Sequence, residues 1–407
     1  MRAKLRMRGN GRRRSLVVSE AAAAVTGDGN RIPARCTGPH RCLLAKARHP
    51  MQMRAARMYG YNEPLRIDEV PVPDPAPDEI LLKVAATGMC RSDYQLVDGY
   101  FKGPFPVDFP YIPGHEVTGR VAGLGSGVPK TVGYSEGDMV VVNPSWGDGT
   151  CRQCREGNEH LCSGNGRWVG FGPPGGFAEY MAVEYRHAVP VSEDAAKAPE
   201  LLAPMTDAGM TPYRGMRKLR DAGKLGPGRT VAVTGIGGLG SYAVQYAKLL
   251  GSGATVVALA RTDSKLDVAK ENGADHGINV RDKSTEAIQG ELESLTGRRT
   301  IDAILDCVGS EASISMGFDL LGPEGALAAV GLMSNRVEHN QFPFVGTELS
   351  YLGSFWGNHM DLVEVLSLAE AGFIKHNVTK VELEDINENL EALGRGDIVG
   401  RQVIVFE

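Results

Sequence analysis

The spacing of hydrophobic residues changes near residue 208 and divides this chain into two regions. Before that point, short apolar runs alternate with turns rich in proline and glycine, a pattern typical of short strands joined by long loops. Strands are predicted at 65–70, 79–85, 117–124, 138–143 and 177–183. We therefore expect the first region to form a small β-barrel.

After residue 208, the apolar segments alternate between strand and helix patterns. Strands are predicted at 230–234, 255–260, 276–279, 303–306 and 326–330, and helices at 239–250, 263–272, 285–296 and 311–321. Such alternation predicts βαβ units around a parallel sheet. A helix at 361–371 and an edge-like strand at 401–406 complete the chain. The expected fold class is α/β, with a doubly wound parallel sheet beside the barrel.

Composition and charge narrow the classes of function. The 407 residues are too many for one ordinary core, so two domains are expected. Residues 1–50 carry a net charge of +10 and the remainder a net charge of −15. An acidic body argues against nucleic acid as the main partner. No apolar run approaches the length of a membrane span, so a membrane partner is not expected either.

Residues 1–52 differ in composition from the rest of the chain, and three interpretations are open. The arginine-rich start is compatible with a twin-arginine or transit signal, but Glu20 interrupts its only apolar stretch. A basic arm that binds nucleic acid is a second interpretation. We favour a third, in which the segment is a disordered extension or a start codon assigned too early. Met53 would then begin a cytoplasmic protein.

A glycine-rich turn follows the strand predicted at 230–234. In a strand–turn–helix context, the Gly-x-Gly-x-x-Gly spacing predicts a dinucleotide-binding loop. Gly235 permits the tight turn, Gly237 lets the backbone approach a pyrophosphate, and Gly240 lets the helix pack on the sheet. The candidate cofactor contacts in this loop are Gly235, Gly237, Gly238, Leu239 and Gly240.

The end of the next predicted strand indicates which nicotinamide cofactor is bound. An acidic residue at this point binds the ribose 2′-hydroxyl of NAD, but this chain has Ala260 followed by Arg261. No carboxylate stands there to repel a 2′-phosphate, and a guanidinium is present to bind one. The sequence therefore predicts NAD(P) with a preference for NADP, although Asp263 is close.

Three cysteines lie close together in the sequence and indicate a structural metal site. Cys151, Cys154 and Cys162 have the short spacing of a tetrahedral zinc site. Asp148 is the expected fourth ligand because of its register. His160 as the ligand, or a damaged site without metal, are the alternatives.

A second group of polar residues surrounds another cysteine and indicates chemistry. Cys90 and His115 supply a thiolate and an imidazole, the ligands that zinc prefers. Ser92 places a hydroxyl where it can take a proton from a metal-bound group. Asp93 places a carboxylate that can hold a ligating imidazole from behind.

From about Met53 to its end, the chain resembles the zinc-containing medium-chain alcohol dehydrogenases, most closely their archaeal and bacterial branch. Besides the glycine-rich loop and the cysteine lobe, the resemblance rests on Gly88-Met89-Cys90-Arg91-Ser92-Asp93, Gly114-His115-Glu116 and Gly175-Gly176-Phe177-Ala178-Glu179-Tyr180. It implies a GroES-like β-barrel catalytic domain at 53–207 and 354–407. It also implies a Rossmann cofactor-binding domain at 208–353, with the active site in the cleft between the two.

The resemblance further implies which residues bind the catalytic zinc and the cofactor. Cys90 and His115 are two expected zinc ligands, and Asp207 is the third, although Asp207 could instead cap a helix. The other candidate contacts of the cofactor are Arg91, Val330 and Leu332.

Three residues are expected to act in catalysis through proton transfer or support of the metal. Ser92 begins the proton path, Asp93 holds His115, and Glu116 resembles the carboxylate that lies beside the zinc in this family. Many members continue the proton path to a histidine where this chain has Gln95. An amide does not titrate, so we expect the proton to leave through water and the pH dependence to differ.

The leading hypothesis is a zinc-dependent alcohol dehydrogenase acting on primary or secondary, aliphatic or aromatic alcohols as a homodimer or homotetramer. A polyol or sugar dehydrogenase of the same superfamily and a non-catalytic cofactor-binding protein are the alternatives. No cluster of basic side chains indicates an acidic substrate. The candidates for an apolar pocket are Trp168, Tyr94, Phe101, Phe105 and Trp356.

Overall fold

A computed structural model describes residues 51–406 of the chain. All three interpretations of the N-terminal segment concern residues 1–52, of which residues 1–50 lie outside the described residues and Gln52 begins the first strand. Met53 is buried in the first strand, and this strand and the next run antiparallel. Among residues 51–406, no helix is long and apolar enough to cross a membrane.

The strands are numbered here in chain order. They are β1 Gln52–Arg57, β2 Arg66–Pro71, β3 Glu79–Met89, β4 Glu116–Leu124, β5 Met139–Val142, β6 Ser145–Trp146, β7 Arg167–Trp168, β8 Tyr180–Glu184, β9 Ala188–Pro190, β10 Thr230–Thr234, β11 Thr255–Ala260, β12 His276–Asn279, β13 Ile301–Asp306, β14 Leu321–Ala329, β15 Ser350–Gly353, β16 Val378–Val381 and β17 Arg401–Val405.

The helices are numbered in the same way. They are α1 Arg91–Val97, α2 Arg152–Arg155, α3 Pro199–Leu202, α4 Met210–Asp221, α5 Gly238–Gly251, α6 Asp263–Glu271, α7 Thr285–Thr296, α8 Glu311–Leu320, α9 Gln341–Gly346, α10 His359–Glu370 and α11 Ile386–Arg395.

A mostly antiparallel sheet of seven strands forms the first structural layer, in the order β16-β17-β3-β4-β5-β9, with β8 also paired to β3. The long strand β3 twists through two register shifts against β4. The prediction of an edge-like strand at the C-terminus is wrong, because β17 lies between β16 and β3. Its first residues can lie inside the sheet since Arg401 and Gln402 bond to Glu116 and Asn389.

A parallel sheet of six strands forms the second layer, in the order β12-β11-β10-β13-β14-β15. This confirms the predicted α/β fold class, and strands β10, β11 and β12 begin and end where the sequence pattern placed them. One boundary differs: the helix predicted at 311–321 ends at Leu320, and β14 starts at once at Leu321, so the strand is longer than the predicted 326–330 at its start.

In residues 51–406, six helices were not predicted: α1, α2, α3, α4, α9 and α11. Of these, α1 and α4 matter for the site. Gly215 of α4 lies so close to the parallel sheet that an added Cβ would come within 2.6 Å of Leu305 Cδ1. The turn before α4 lies beside the start of β4, where the backbone N–H of Ala208 donates to Glu116. Both sheets belong to one compact unit.

Candidate metal centre and cofactor cleft

Four buried side chains converge where the two layers meet. One ligand atom from each of Cys90, His115, Glu116 and Asp207 lies within 4.8 Å of every other. Cys90 Sγ and His115 Nε2 each lie 3.3 Å from Asp207 Oδ2. The structure therefore brings together residues that are up to 117 positions apart in the chain.

The pairing of β3 with β4 explains why Cys90 and His115 are neighbours. Gly88 pairs with Glu116 in the antiparallel register, so the residue after β3 and the residue before β4 leave the sheet side by side. Gly88 must lack a side chain, because a Cβ there would lie 1.9 Å from Glu116 Oε2. Asp207 comes from the other direction, between a short 3₁₀ turn and helix α4.

Neighbouring groups orient the three prospective ligands. Asp93 Oδ1 lies 3.0 Å from His115 Nδ1, and Asp93 Oδ2 accepts a hydrogen bond from the backbone N–H of Cys90. His115 Nε2 is thereby turned toward Asp207. Thr211 donates its hydroxyl to Asp207 Oδ1 at 2.6 Å, which leaves Oδ2 toward the cluster.

Charges in the cluster are strongly coupled because it is buried. Burial alone would raise the pKa of Asp207, but hydrogen bonds and charge from His115 and the bond from Thr211 lower it to about 2. Burial raises the pKa of the Cys90 thiol and Asp207 adds to this effect. A divalent cation bound to the sulfur would instead lower the pKa of the Cys90 thiol. The three groups that converge here are a thiolate, an imidazole and a carboxylate. This ligand set suits zinc.

Arg401 is a site residue that sequence reasoning missed. Its guanidinium is buried and paired with Glu116 Oε2, while Glu116 Oε1 accepts the backbone N–H of Ala208. A Cβ at Gly238 would lie 2.5 Å from Arg401 Nη1. Arg401 thus links the metal cluster to the glycine-rich loop. The only available sequence signal was a charged residue opening an otherwise apolar strand.

The cysteine lobe forms a second cluster with four potential ligands. Asp148, Cys151, Cys154 and Cys162 have ligand atoms within 4.8 Å of one another. Cys151 Sγ lies 3.5 Å from Cys154 Sγ. Of the two candidates for fourth ligand, the structure brings Asp148 to the thiols and not His160.

The glycine-rich loop has the geometry expected for a pyrophosphate cradle. Gly235 has a φ of +85°, which favours glycine. A Cβ at Gly240 would lie 2.1 Å from the carbonyl oxygen of Gly235, whereas a Cβ at Gly237 would meet nothing within 4 Å. The space beside Gly237 and the start of helix α5 leave room for an anionic group, so the loop fits a dinucleotide.

A cavity of about 620 Å³ joins the metal cluster to the loop. Its wall includes seven of the predicted site residues and several aromatic rings: Cys90, Arg91, Ser92, Asp207, Leu239, Val330, Leu332, Phe101, Phe105, Trp168, Phe171, Phe355 and Trp356. The prediction that Tyr94 lines the pocket is not supported, because its ring lies against Gly394 of α11. Phe171 and Phe355 were missed, because a buried phenylalanine carries no sequence signal of its function.

The predicted cofactor-selecting residues lie at the carboxyl end of β11. Ala260 is buried and Arg261 is exposed. Arg281 approaches the same point and donates its Nε–H to the Arg261 carbonyl oxygen at 2.8 Å. The Asp263 carboxylate accepts a bond from Asn279 Nδ2 at 2.7 Å.

Ser92 and Gln95 are the two residues that the sequence analysis considered for the proton path. Ser92 Oγ lies 3.4 Å from His115 Nε2 and faces the cavity. Gln95 donates its side-chain amide to the Leu332 carbonyl oxygen at 3.0 Å. It therefore bridges α1 and the loop after β14 instead of offering a titratable group.

Comparison with known proteins places this geometry in a family. Residues 238–371 match the zinc-binding dehydrogenase family, and residues 76–193 match the alcohol dehydrogenase GroES-like domain. The chain is 37% identical to the NAD-dependent alcohol dehydrogenase of Sulfurisphaera tokodaii, over 87% of this chain and 100% of the relative. It is 34% identical to the D-arabinose 1-dehydrogenase (NADP(+)) of Saccharolobus solfataricus, over 87% of this chain and 98% of the relative.

Solved structures agree with this assignment. The alcohol dehydrogenase of Aeropyrum pernix aligns with a TM-score of 0.79 at 35% identity, over 87% of this chain and 100% of that chain. The acetophenone reductase of Geotrichum candidum, solved in complex with NAD, aligns with a TM-score of 0.76 at 29% identity, over 88% and 98% of the two chains. This chain therefore belongs to the zinc-binding medium-chain alcohol dehydrogenase family.

Proposed function

We propose that this chain is a zinc-dependent alcohol dehydrogenase that interconverts primary or secondary alcohols and their aldehydes or ketones. The observation that carries the proposal is the convergence of Cys90, His115 and Asp207 on one point in the wall of an aromatic cavity. The same cavity reaches Leu239 beside the glycine-rich loop. An alcohol and a nicotinamide cofactor can therefore meet in it.

The catalytic zinc would be held by Cys90 Sγ, His115 Nε2 and Asp207 Oδ2. A zinc ion with three protein ligands keeps an open position and lowers the pKa of an alcohol bound there. Asp93 fixes the tautomer of His115 by accepting its Nδ1–H. Glu116 lies behind the three ligands, where Arg401 neutralises it.

Ser92 is the residue that receives the proton released from the alcohol. Its hydroxyl faces the cavity beside His115 and can accept a proton while passing its own to water. Gln95 is bound to Leu332 and does not titrate, so the path leaves the protein through solvent at this point.

The loop formed by Gly235, Gly237, Gly238, Leu239 and Gly240 would hold the pyrophosphate of the cofactor. A nicotinamide cofactor bound there would supply the acceptor or donor of the hydride of the alcohol carbon. Arg91 lines the same cavity and its buried Nε has no hydrogen-bond partner among the described residues, which suits contact with a phosphate. Val330 and Leu332 form part of the opposite wall.

NAD(P) is the proposed cofactor, and preference for NADP rests on Ala260, Arg261 and Arg281. The relatives of this chain include both NAD-dependent and NADP-dependent enzymes. Their names do not favour NADP, so the preference depends on local charge alone. Arg261 is exposed after the end of β11, Arg281 donates to its carbonyl oxygen, and the Asp263 carboxylate is bonded to Asn279.

The cysteine lobe is proposed to hold a structural zinc through Asp148, Cys151, Cys154 and Cys162.

The division into a catalytic domain at 53–207 and 354–407 and a cofactor domain at 208–353 is also a proposal. A cytoplasmic location and assembly as a homodimer or homotetramer are likewise proposals. The exposed side chains of Phe342 and Tyr351, beside or on the edge strand β15, favour an interface between copies.

The two alternative functions are less well supported by the site. The aromatic rings in the cavity wall disfavour a polyol, which needs many hydrogen-bonding groups. A binding protein without turnover would not need the complete ligand set of Cys90, His115 and Asp207.

A substrate panel on the full chain tests the proposal. Zinc-loaded protein is mixed with aryl and alkyl alcohols, a pentitol, and the matching aldehydes, each with NAD or NADP. We expect reduced cofactor to form with the aryl and alkyl alcohols and to be consumed by the aldehydes. Absence of both reactions in protein that holds zinc would reject the function, and turnover of the pentitol alone would favour the sugar dehydrogenase.

A further inference from the structure

The cavity has a polar end away from the metal cluster. His160, Arg214, Lys218 and Ser354 line this part of its wall. Helix α4 carries Thr211, then Arg214 three residues later, then Lys218 a further four residues on. The three side chains therefore share one face of the helix. From Thr211 to Lys218 the helix rises about 10 Å. We call the group of four residues the Lys218 subsite.

Buried polar atoms in the Lys218 subsite lack hydrogen-bond partners. The His160 ring belongs to a residue that is 2% exposed, and neither ring nitrogen is bonded within residues 51–406. Ser354 Oγ and Arg214 Nε are also buried and unbonded there. Buried polar groups are almost always bonded in folded proteins. The arrangement therefore points to a polar group that enters the cavity.

Both ring nitrogens of His160 can take part in hydrogen bonds: the one that carries a hydrogen donates, and in the neutral ring the other accepts. His160, Arg214 and Lys218 all line the wall of the same cavity.

Lys218 gives the subsite an uncompensated positive charge. Arg214 is neutralised by Asp361 at 2.7 Å, and Arg217 pairs with both Asp361 and Glu364. In the described part of the chain, Lys218 makes no ion pair with a carboxylate. It donates instead to the Gly353 carbonyl oxygen, and burial lowers its pKa. A partly buried cation without a counter-ion favours an anionic ligand.

We propose that the Lys218 subsite binds a carboxylate carried by the substrate at the end remote from its reacting hydroxyl. The preferred substrates are then ω-hydroxy acids and the corresponding aldehyde acids, with an apolar middle that lies along the aromatic rings. This inference rests on the proposed function. The sequence showed no cluster of basic side chains that would indicate an acidic substrate, whereas folding brings Arg214 and Lys218 to one cavity.

The test compares ω-hydroxyalkanoates of about six to ten carbons, a length matched to the helix rise, with their methyl esters. The ester has the same chain but no charge, so it is a matched control. We expect kcat/KM of the zinc-loaded full chain to be at least about tenfold higher for the acids, as expected for a charge-assisted hydrogen bond. The difference should lie mainly in KM.

Variants at Lys218 identify the source of that preference. Lys218→Gln keeps a donor for Gly353 and removes the charge, so the acid-to-ester ratio should fall about tenfold. Lys218→Arg should retain the ratio, as should Lys130→Gln at an exposed control site. Equal kcat/KM for acids and esters in the wild type, or an unchanged ratio in Lys218→Gln, would overturn the subsite.

The outcome also separates this inference from the proposed function. Oxidation of the esters and simple alcohols without preference for acids rejects the Lys218 subsite and leaves the alcohol dehydrogenase assignment intact. Failure to oxidise any of these alcohols with either cofactor rejects both. The wild-type comparison requires no variant, so it decides the question even if Lys218→Gln does not fold.

Discussion

Arg401 and Glu116 form an ion pair in which the side chains are 3% and 0% exposed, directly beneath the glycine-rich loop. A buried pair of this kind is most damaging when only one partner is removed, because the other charge remains without compensation. We expect Arg401→Met to lower the free energy of unfolding by about 3–5 kcal/mol. Urea unfolding of the zinc-loaded protein measures this change.

Two comparisons control that experiment. Arg395→Met breaks an exposed contact with Asp397 and should leave the unfolding midpoint unchanged. The double variant Glu116→Gln, Arg401→Met should recover part of the loss, because no isolated charge remains. An Arg401→Met protein as stable as the wild type would show that the pair contributes little to folding.

Removal of one ligand from each cluster should release different zinc ions. The native chain is expected to hold about two zinc ions, one per cluster. Cys90→Ser should lose one zinc and its activity, with the cysteine lobe still loaded. Cys154→Ser should lose the other zinc and thermal stability. Elemental analysis beside thermal unfolding measures both effects.

Cys307 provides the control, because it lies outside both clusters. Cys307→Ser should retain both zinc ions. If purified native protein reconstituted with zinc retains none, the metal assignment fails.

Cofactor preference should depend on the two guanidinium groups near the end of β11. Arg261→Ala and Arg281→Ala should each raise KM for NADP by about tenfold, since one charge-assisted contact with the 2′-phosphate is lost. KM for NAD should change little. Steady-state kinetics with both cofactors tests this, with Arg299→Ala as an exposed control. Equal weakening of NAD and NADP would show that neither arginine selects the phosphate.

Gln95 should determine the form of the pH profile. Gln95→His places a titratable imidazole one helical turn after Ser92, and its ordinary pKa is about 6.5. We expect the kcat profile of this variant to gain a titration in that range that the wild type lacks. Gln95→Ala removes the bond to Leu332 without adding a titrating group and should not gain it. The same new titration in both variants would place its origin elsewhere.

His187 should make the fold sensitive to acid. Burial, followed by the charge of Arg186, lowers the pKa of His187 to about 3 from an ordinary value of 6.5. The unfolded chain therefore binds the proton first as pH falls, and stability decreases between these two values. His187→Phe can keep the stacking on Trp146 and should flatten that decrease.

Urea midpoints measured from neutral pH down toward pH 4 test this expectation. His339→Gln changes an exposed histidine and should leave the slope as in the wild type. An unchanged slope in His187→Phe would show that other groups control acid unfolding.

Local sequence determined the parts of this protein whose chemistry depends on near neighbours. The glycine spacing from Gly235 to Gly240 specifies one turn, because Gly235 adopts a positive φ and Gly240 lies too close to the Gly235 carbonyl oxygen for a side chain. The spacing of Cys151, Cys154 and Cys162 likewise brings three thiols together within one short lobe. The periodicity of apolar residues was sufficient for the interior parallel strands β10, β11 and β13, since these are buried on both faces.

Only the tertiary structure decided the contacts between distant segments. It placed Arg401 under Gly238, turned Tyr94 toward α11, and made the final strand an interior one. It also brought His160 and Lys218 to the same cavity. The register of β3 with β4 and the close packing of α4 on the parallel sheet at Gly215 are further contacts of this kind. Such long-range packing is set by the summed fit of many side chains, which no local pattern records.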